Sequence, residues 1–260
     1  MNRDTLRQIL VLIAAFATII FNIIANALPL NGLNTGELSD RFQIFFVPAG
    51  YVFSIWGLIY LGLIAYAIYQ VLPAQRENPR LRKIGYLFIL SCLANIAWLT
   101  LWHYEIFEFT LIAMGVLLLS LIAIYLRLDI GRGEVSAGEK WAVHIPFSIY
   151  LGWITVATIA NTTQLLYYLG WNGWGISAEI WAVIMLVAGV VISALMSLTR
   201  ADIAFSLVLV WAYIGIAVKH ANTPLVANSA LIAAGMILLI MIVIMFRKYR
   251  TQGIKLAEQE

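Results

Sequence analysis

The sequence predicts an all-α integral membrane protein of about eight transmembrane helices, and three observations carry that prediction. The 260 residues are 63% hydrophobic and 11% charged, with a mean hydropathy of +0.92, which leaves no stretch for a separate soluble domain. The apolar residues gather into runs close to the roughly 20 that cross a hydrocarbon core. Threaded through a membrane at those runs, the chain places all of its 16 Lys and Arg residues on one side except Arg41 and Lys219. By the positive-inside rule that side is cytoplasmic and holds both termini, and the expected location is a bacterial plasma membrane.

The first span, Leu6–Leu28, follows Arg3 and Arg7. Ala25-Asn26-Ala27 has the small-x-small form of a cleavage site, yet the apolar run from Ile9 to Ala27 exceeds the roughly 7–15 residues of a signal h-region. The span is expected to be retained. Asn22 and Asn26, at i and i+4, share one of its faces, as a packed helix would aim polar groups at its neighbours. The exterior segment Pro29–Pro48 carries the turn formers Asn31-Gly32, Asn34, Gly36 and Ser39-Asp40, then the apolar stretch Ile44–Val47, and reads as a folded lid.

The second span is Gly50–Val71, followed by the basic link Leu72–Lys83 with Pro73 and Pro79. The third, Ile84–Trp102, holds Cys92, the only cysteine, so no disulfide framework is available. The fourth is Phe109–Tyr125, and Asp129–Lys140 is a mixed-charge link with Gly131, Gly133 and Gly138. The fifth, Trp141–Thr162, leads to exterior Gln164–Ser177, whose Tyr167, Tyr168, Trp171 and Trp174 suit the headgroup level.

The sixth span is Ile180–Leu198, and Arg200 and Asp202 in the turn after it are expected to pair with each other. The seventh, Ile203–Val218, has only about 16 residues, just under the usual minimum of about 17. Charge makes it a span: were it re-entrant, the basic cluster after the eighth, Val226–Phe246, would lie outside with no charge reason to do so.

Net charge is a modest +3 and the cations are topology signals and lipid-headgroup contacts, so nucleic acid is not among the partners. The expected partners are a hydrophobic small-molecule ligand, membrane lipids and a second copy of the chain in a homodimer. Catalysis finds no support: there is no His-Glu-x-x-His helix, no carboxylate pair within the membrane and no glycine-rich phosphate loop.

The functional signal is aromatic and amide side chains brought to one depth. Phe53, Trp56 and Tyr60 stand at i, i+3 and i+7 in the second span, and Asn95, Trp98 and Trp102 repeat that spacing in the third. Trp153, Ala157 and Asn161 stand at i, i+4 and i+8 in the fifth. At 1.5 Å per residue, Trp56, Asn95 and Trp153 each lie on the order of 10 Å below the exterior boundary. Asn26 joins them from the first span. The alternative is that such rings and amides only pack helices together.

These residues carry a resemblance. Pro48-Ala49-Gly50-Tyr51-Val52-Phe53-Ser54-Ile55-Trp56-Gly57-Leu58-Ile59-Tyr60 resembles the Pro-Pro-Gly-Trp-Val-Phe…Trp…Leu-Tyr opening of the second helix in the tryptophan-rich sensory protein family, also called TspO/MBR or translocator protein. Asn95-Ile96-Ala97-Trp98 is similar to its third-helix Asn-x-x-Trp. Residues 150–161, from Tyr150-Leu151-Gly152-Trp153 through Thr155, Ala157-Thr158 and Asn161, resemble its fifth-helix Tyr-Leu-Ala-Trp-x-Ser/Thr-x-Ala-Thr-x-x-Asn. Tyr51 replaces the family's usual Trp, Phe53 to Trp56 is one residue shorter, and Ile149 stands where the family has Pro.

The resemblance covers about residues 1–165 and implies a five-helix TspO-like bundle there, with residues 166–260 as a three-span extension in the same membrane unit. It implies a membrane sensor or carrier that binds a flat hydrophobic ligand, tetrapyrrole- or sterol-like, in an aromatic pocket under the loop joining helices 1 and 2. The lining set is Asn26, Pro48, Tyr51, Phe53, Trp56, Tyr60, Asn95, Trp98, Trp102, Trp153, Ala157 and Asn161. No cofactor is required, although a porphyrin or haem would be a candidate occupant. A secondary transporter of a small neutral solute is the alternative.

Two further positions stand out. His103, Glu105 and Glu108 read as interfacial caps at the exterior end of the third span, with His103 as a haem ligand the competing role. His144 sits one turn into the fifth span, and a proton-relay role is weakened because no intramembrane Asp or Glu accompanies it. The exterior carboxylates Glu37, Asp40, Glu105, Glu108 and Glu179 face only Arg41 and Lys219, which favours a neutral ligand.

Overall fold

The computed structural model describes residues 3–28 and 30–257, with side chains through Arg247. Pro29 of the lid and the side chains of Lys248, Arg250 and Lys255 therefore lie outside the described residues. The chain is helical throughout, with no strand among the described residues. Its helices are α1 (Arg3–Ala27), the short α2 (Thr35–Asp40), α3 (Ile55–Val71), α4 (Pro79–His103), α5 (Phe107–Arg127), the single turn α6 (Ala137–Glu139), α7 (Ile145–Tyr168), α8 (Ala178–Arg200), α9 (Ile203–Lys219) and α10 (Pro224–Ala257). Seven are long and apolar enough to cross a membrane, and α9, at 17 residues, is the shorter eighth. This is an integral multi-pass membrane protein.

Local chemistry sets the helix ends. Pro79 opens α4 at a position where its missing N–H costs nothing, and Asn78 accepts from the Arg80 N–H, so α4 begins a turn earlier than its apolar run. Before α7 the backbone widens into a π-turn, Lys140–His144, in which the Ile145 N–H reaches the Lys140 carbonyl. Pro146 has no N–H to offer Ala142, which removes the α-helical bond that would otherwise tighten this turn. Asp202 caps α9, accepting from the Phe205 N–H at 3.1 Å.

The helix α7 is the hub: α3, α5 and α9 all pack on it, α1 lies against α3 and α4, and α10 closes the far side against α8 and α9. Small residues allow the closest approaches, as in other membrane bundles. A Cβ at Gly152 would lie 3.0 Å from the Phe205 carbonyl oxygen, and one at Gly189 would meet the Tyr213 hydroxyl at 1.8 Å. Without a hydrophobic drive between helices in lipid, polar locks contribute too. Gln8 and Gln70 each donate to the other's backbone carbonyl, joining α1 to α3.

Basic residues collect at one end of the bundle and tie its connections together. Arg82 pairs with Asp4, Arg80 forms a two-point bridge to Glu139 with both distances at 2.6 Å, and Arg200 pairs with Asp129 at 2.7 Å. Arg200 and Asp202 therefore do not pair with each other as the sequence suggested. Asp202 instead accepts from Tyr125 Oη at 2.8 Å and Ser148 Oγ at 2.6 Å. The reason is direction: Ala201 takes a left-handed turn (φ 49°), and Arg200 goes to the link after α5 while Asp202 goes to α5 and α7.

Candidate functional site

The segment between α1 and α3 forms a structured lid. Asn34 and Glu37 exchange side-chain and backbone bonds at 2.9 Å, a capping box that nucleates α2 outside the membrane. Asn31 (φ 57°) and Gly32 (φ 87°) make the left-handed turn before it.

His103, the last residue of α4, latches this lid. It is buried, with Nδ1 3.0 Å from the Leu30 carbonyl and Nε2 3.1 Å from Thr35 Oγ1. A carbonyl only accepts, so in the neutral ring Nδ1 carries the hydrogen and Nε2 accepts from the Thr35 hydroxyl. Asn31 Nδ2 donates to the His103 carbonyl, Trp102 Nε1 to the Thr35 carbonyl, and the Thr35 N–H to Asn26 Oδ1. His103 is thus neither an interfacial cap nor open to iron, because both ring nitrogens hold the lid.

Ion pairs fix the lid's outer edge: Arg41 to Glu105 at 2.8 Å and Lys219 to Asp40 at 2.5 Å. Beyond α2, residues 42–49 run as a strap. Phe42 stands edge-on to Phe107 and Tyr167, Phe46 edge-on to Tyr213, and the Ala49 N–H reaches the Gly215 carbonyl.

Under the lid lies a cavity of about 60 Å³. It brings together Pro48, Phe53, Trp98, Trp102, Trp153, Ala157 and Asn161 of the twelve residues singled out from the sequence, with Thr35, Ser39, Ile44 and Val47 of the lid and strap as its roof. Trp98 and Trp102, one helical turn apart, stack with centroids 5.3 Å apart. Trp98 Nε1 donates to Asn161 Oδ1, and Asn161 Nδ2 passes the chain on to Thr110 Oγ1 at 3.0 Å. Trp153 stands edge-on to Phe53 at 5.7 Å.

Two donors on this wall have no partner. Trp153 Nε1 and Gln164 Nε2 are buried without a hydrogen bond, although their residues are only 3% and 2% exposed. An unpaired buried donor costs about 1–3 kcal/mol, so two beside one cavity are a standing demand for an acceptor. Gln164 was not among the residues singled out. It extends the Trp153, Ala157, Asn161 face by one more turn, a spacing that was readable in the sequence.

The other five singled-out residues lie elsewhere. Asn95 is buried between Asn22, which donates to its Oδ1 at 2.7 Å, and the Tyr150 hydroxyl, which accepts from its Nδ2 at 3.1 Å. Trp56 stacks on Tyr60 at 5.6 Å and meets Trp153 edge-on, one layer away from the cavity. Tyr51 packs edge-on against Trp211. Asn26 is exposed at the outer end of α1, where it holds the Thr35 N–H.

An apolar cleft of about 300 Å³ adjoins the cavity, between the strap, the outer end of α7 and the start of α8. Leu166, Tyr167, Trp171, Trp181 and Met185 form its walls. Ile44 borders both spaces and separates them.

Compared with known proteins, the chain matches a family model described as TSPO-like protein over residues 8–244, from α1 through α10. No curated protein and no solved structure matches it.

Proposed function

The chain belongs to the TSPO-like protein family, and on that premise we propose that it is a sensor or carrier that binds a flat hydrophobic ligand, tetrapyrrole- or sterol-like, in the aromatic cavity beneath its lid. The observation that supports this best is the pair of unpartnered buried donors, Trp153 Nε1 and Gln164 Nε2, in a mostly apolar and aromatic wall whose Asn161 is already hydrogen-bonded. Such a wall binds an apolar body by stacking and orients it by one carbonyl or carboxylate. At about 60 Å³ the cavity is far below the roughly 300–1,000 Å³ of ligand pockets. Binding is therefore coupled to movement of Ile44, Val47 and Pro48, which would merge the cavity with the neighbouring cleft. A haem would gain no axial ligand from His103 without dismantling the latch. No catalytic step is assigned, and the basic end, with both termini, is placed in the cytoplasm.

The test is a titration of a porphyrin against tryptophan fluorescence in detergent. Trp153→Ala is expected to weaken binding by roughly 1–3 kcal/mol, as for measured aromatic–base stacking. Gln164→Leu should weaken porphyrin carboxylates more than their esters, and Trp211→Ala should leave affinity nearly unchanged. Equal losses at all three positions would mean general destabilisation of the bundle and would remove the proposal.

The alternative is secondary transport of a small neutral solute, supported by a second cavity at the basic ends of α7 and α9. Counterflow in proteoliposomes, set against a co-purifying pigment in the absorbance spectrum, separates the two.

A further inference from the structure

At the basic end of the bundle, opposite the lid, lies a cavity of about 800 Å³. Its walls come from the α5–α6 link, the π-turn before α7, the α8–α9 turn and Met245 of α10. Unlike the cavity under the lid, it is lined by buried charged groups, Arg200 and Asp202, beside His144 and Ser148; all four are at least nine-tenths buried. Its walls are tied to one another. Arg200 donates to Asp129 and to the Ile130 carbonyl at 3.2 Å, and Gly131 sits so close that a Cβ would fall 2.1 Å from the Arg200 carbonyl oxygen.

Two features of this wall have no structural explanation of their own. His144 Nε2 is buried and has no hydrogen-bond partner, although its residue is only 6% exposed. It is carried on the π-turn, a distortion of the kind that recurs at functional sites. One turn further along the same face, Ser148 donates to Asp202. The carboxylate takes two bonds on Oδ2, from Tyr125 and Ser148, but only the Phe205 N–H on Oδ1, which leaves one of its about four lone-pair sites open. Capping α9 accounts for the Oδ1 bond and for nothing at His144.

The charges decide what fits. Arg200 is neutralised by Asp129, and Glu139 by Arg80. Glu134 and Lys140 are both exposed at the rim. Arg132 lies beside the cavity, donating to the Thr199 carbonyl, and Arg247 borders the adjoining hollow. The depth of the cavity therefore carries the single negative charge of Asp202, while the mouth carries both signs, Lys140 and Glu134. A simple anion would meet Asp202, and a simple cation would leave the rim ammonium of Lys140 unanswered. We infer that the cavity is a second ligand site, taking a small zwitterion whose ammonium group donates to Asp202 and His144 while its carboxylate faces Lys140 at the rim.

The chain has three histidines, so their ring signals are few enough to follow by NMR in the full-length protein labelled at histidine. His144→Gln and His220→Gln assign them. Titration with alanine is expected to move the His144 signal saturably and leave those of His103 and His220 in place. Propionate and ethylammonium, the two halves of that probe, should bind at least about tenfold more weakly, as loss of one charged hydrogen-bonded contact implies. Asp202→Asn, which keeps a capping side chain, should lower alanine affinity by a similar factor. Lys140→Gln, at an exposed position, should weaken alanine severalfold and leave ethylammonium unaffected. No saturable shift with alanine would overturn the inference, as would propionate or ethylammonium binding as tightly as alanine. If Asp202→Asn does not fold, an alanine affinity unchanged in Lys140→Gln overturns it equally.

Discussion

The backbone N–H of Ala49 donates to the carbonyl of Gly215 at 3.1 Å, so the end of the strap roofing the cavity is tied to α9, while Phe42 at its start packs on α5 and α7. Trp211 Nε1 adds a bond to the Val52 carbonyl, and Lys219 holds Asp40 of α2. The family match runs through residue 244 and so includes α8, α9 and most of α10.

Gly215 makes this contact by having no side chain. A Cβ there would lie 2.1 Å from Val52 Cγ2 and 3.1 Å from Pro48 Cβ. Gly215→Ala is expected to destabilise the protein by about 1–3 kcal/mol, the usual cost of overpacking. Thermal unfolding in detergent measures it, with Gly235→Ala as the control, since nothing lies within 4 Å of that position.

Asn95 separates stability from binding. Its bonds to Asn22 and Tyr150 join α1, α4 and α7 away from the cavity. Asn95→Leu should lower stability by roughly 0.6–1.7 kcal/mol, the range for interhelical bonds in membranes, and leave porphyrin affinity per folded molecule unchanged. A fall in affinity as large as that in Trp153→Ala would put Asn95 in the site.

Topology is tested by cysteine labelling in intact cells of the Cys92→Ala background. Cysteines at Gly36 and Asn222 should react with an impermeant reagent added outside, and those at exposed Glu77 and Gly133 should not. Asn222 is the informative position, since protection there would mean that α9 fails to span.

His220 gives the lid a pH dependence. Burial in the contact with the strap, and then the neighbouring Lys219 charge, lower its pKa below the usual value of 6.5, against a hydrogen bond to the backbone of Val47. The neutral ring is the form that packs edge-on to Phe45. Because the folded pKa lies below the unfolded one, its contribution is complete above about pH 6.5 and is lost as pH falls through the lowered value. Spin labels on the strap should show rising mobility as pH falls below that point, and His220→Gln should flatten the response.

The helices were legible because hydropathy and charge act over whole segments, so even the short α9 could be placed by the cations around it. Helix rotation was less legible. Depth alone put Trp56, Asn95 and Trp153 at one level, but Asn95 faces Asn22 and Trp56 faces Tyr60, and only Trp153 reaches the cavity. The latch at His103 and the bond from Ser148 to Asp202 join residues 68 and 54 positions apart, and no local pattern encodes such pairs. Asp202, in the turn before α9, reaches Ser148, one turn along the same face from His144, a neighbour that no pattern within the fifth span encodes.

The latch also has a kinetic meaning. His103 is gripped by Leu30 and Thr35, Thr35 also by Asn26 and Trp102, and the outer edge by two ion pairs, so the lid has few ways to open in part. On the proposed reading, a ligand that left past the latch, and not by way of the strap, would do so at the frequency with which the whole clasp lets go. Residence time is then a property of the protein, nearly the same for guests of different chemistry. Association, in turn, levels off at high concentration at that same opening frequency.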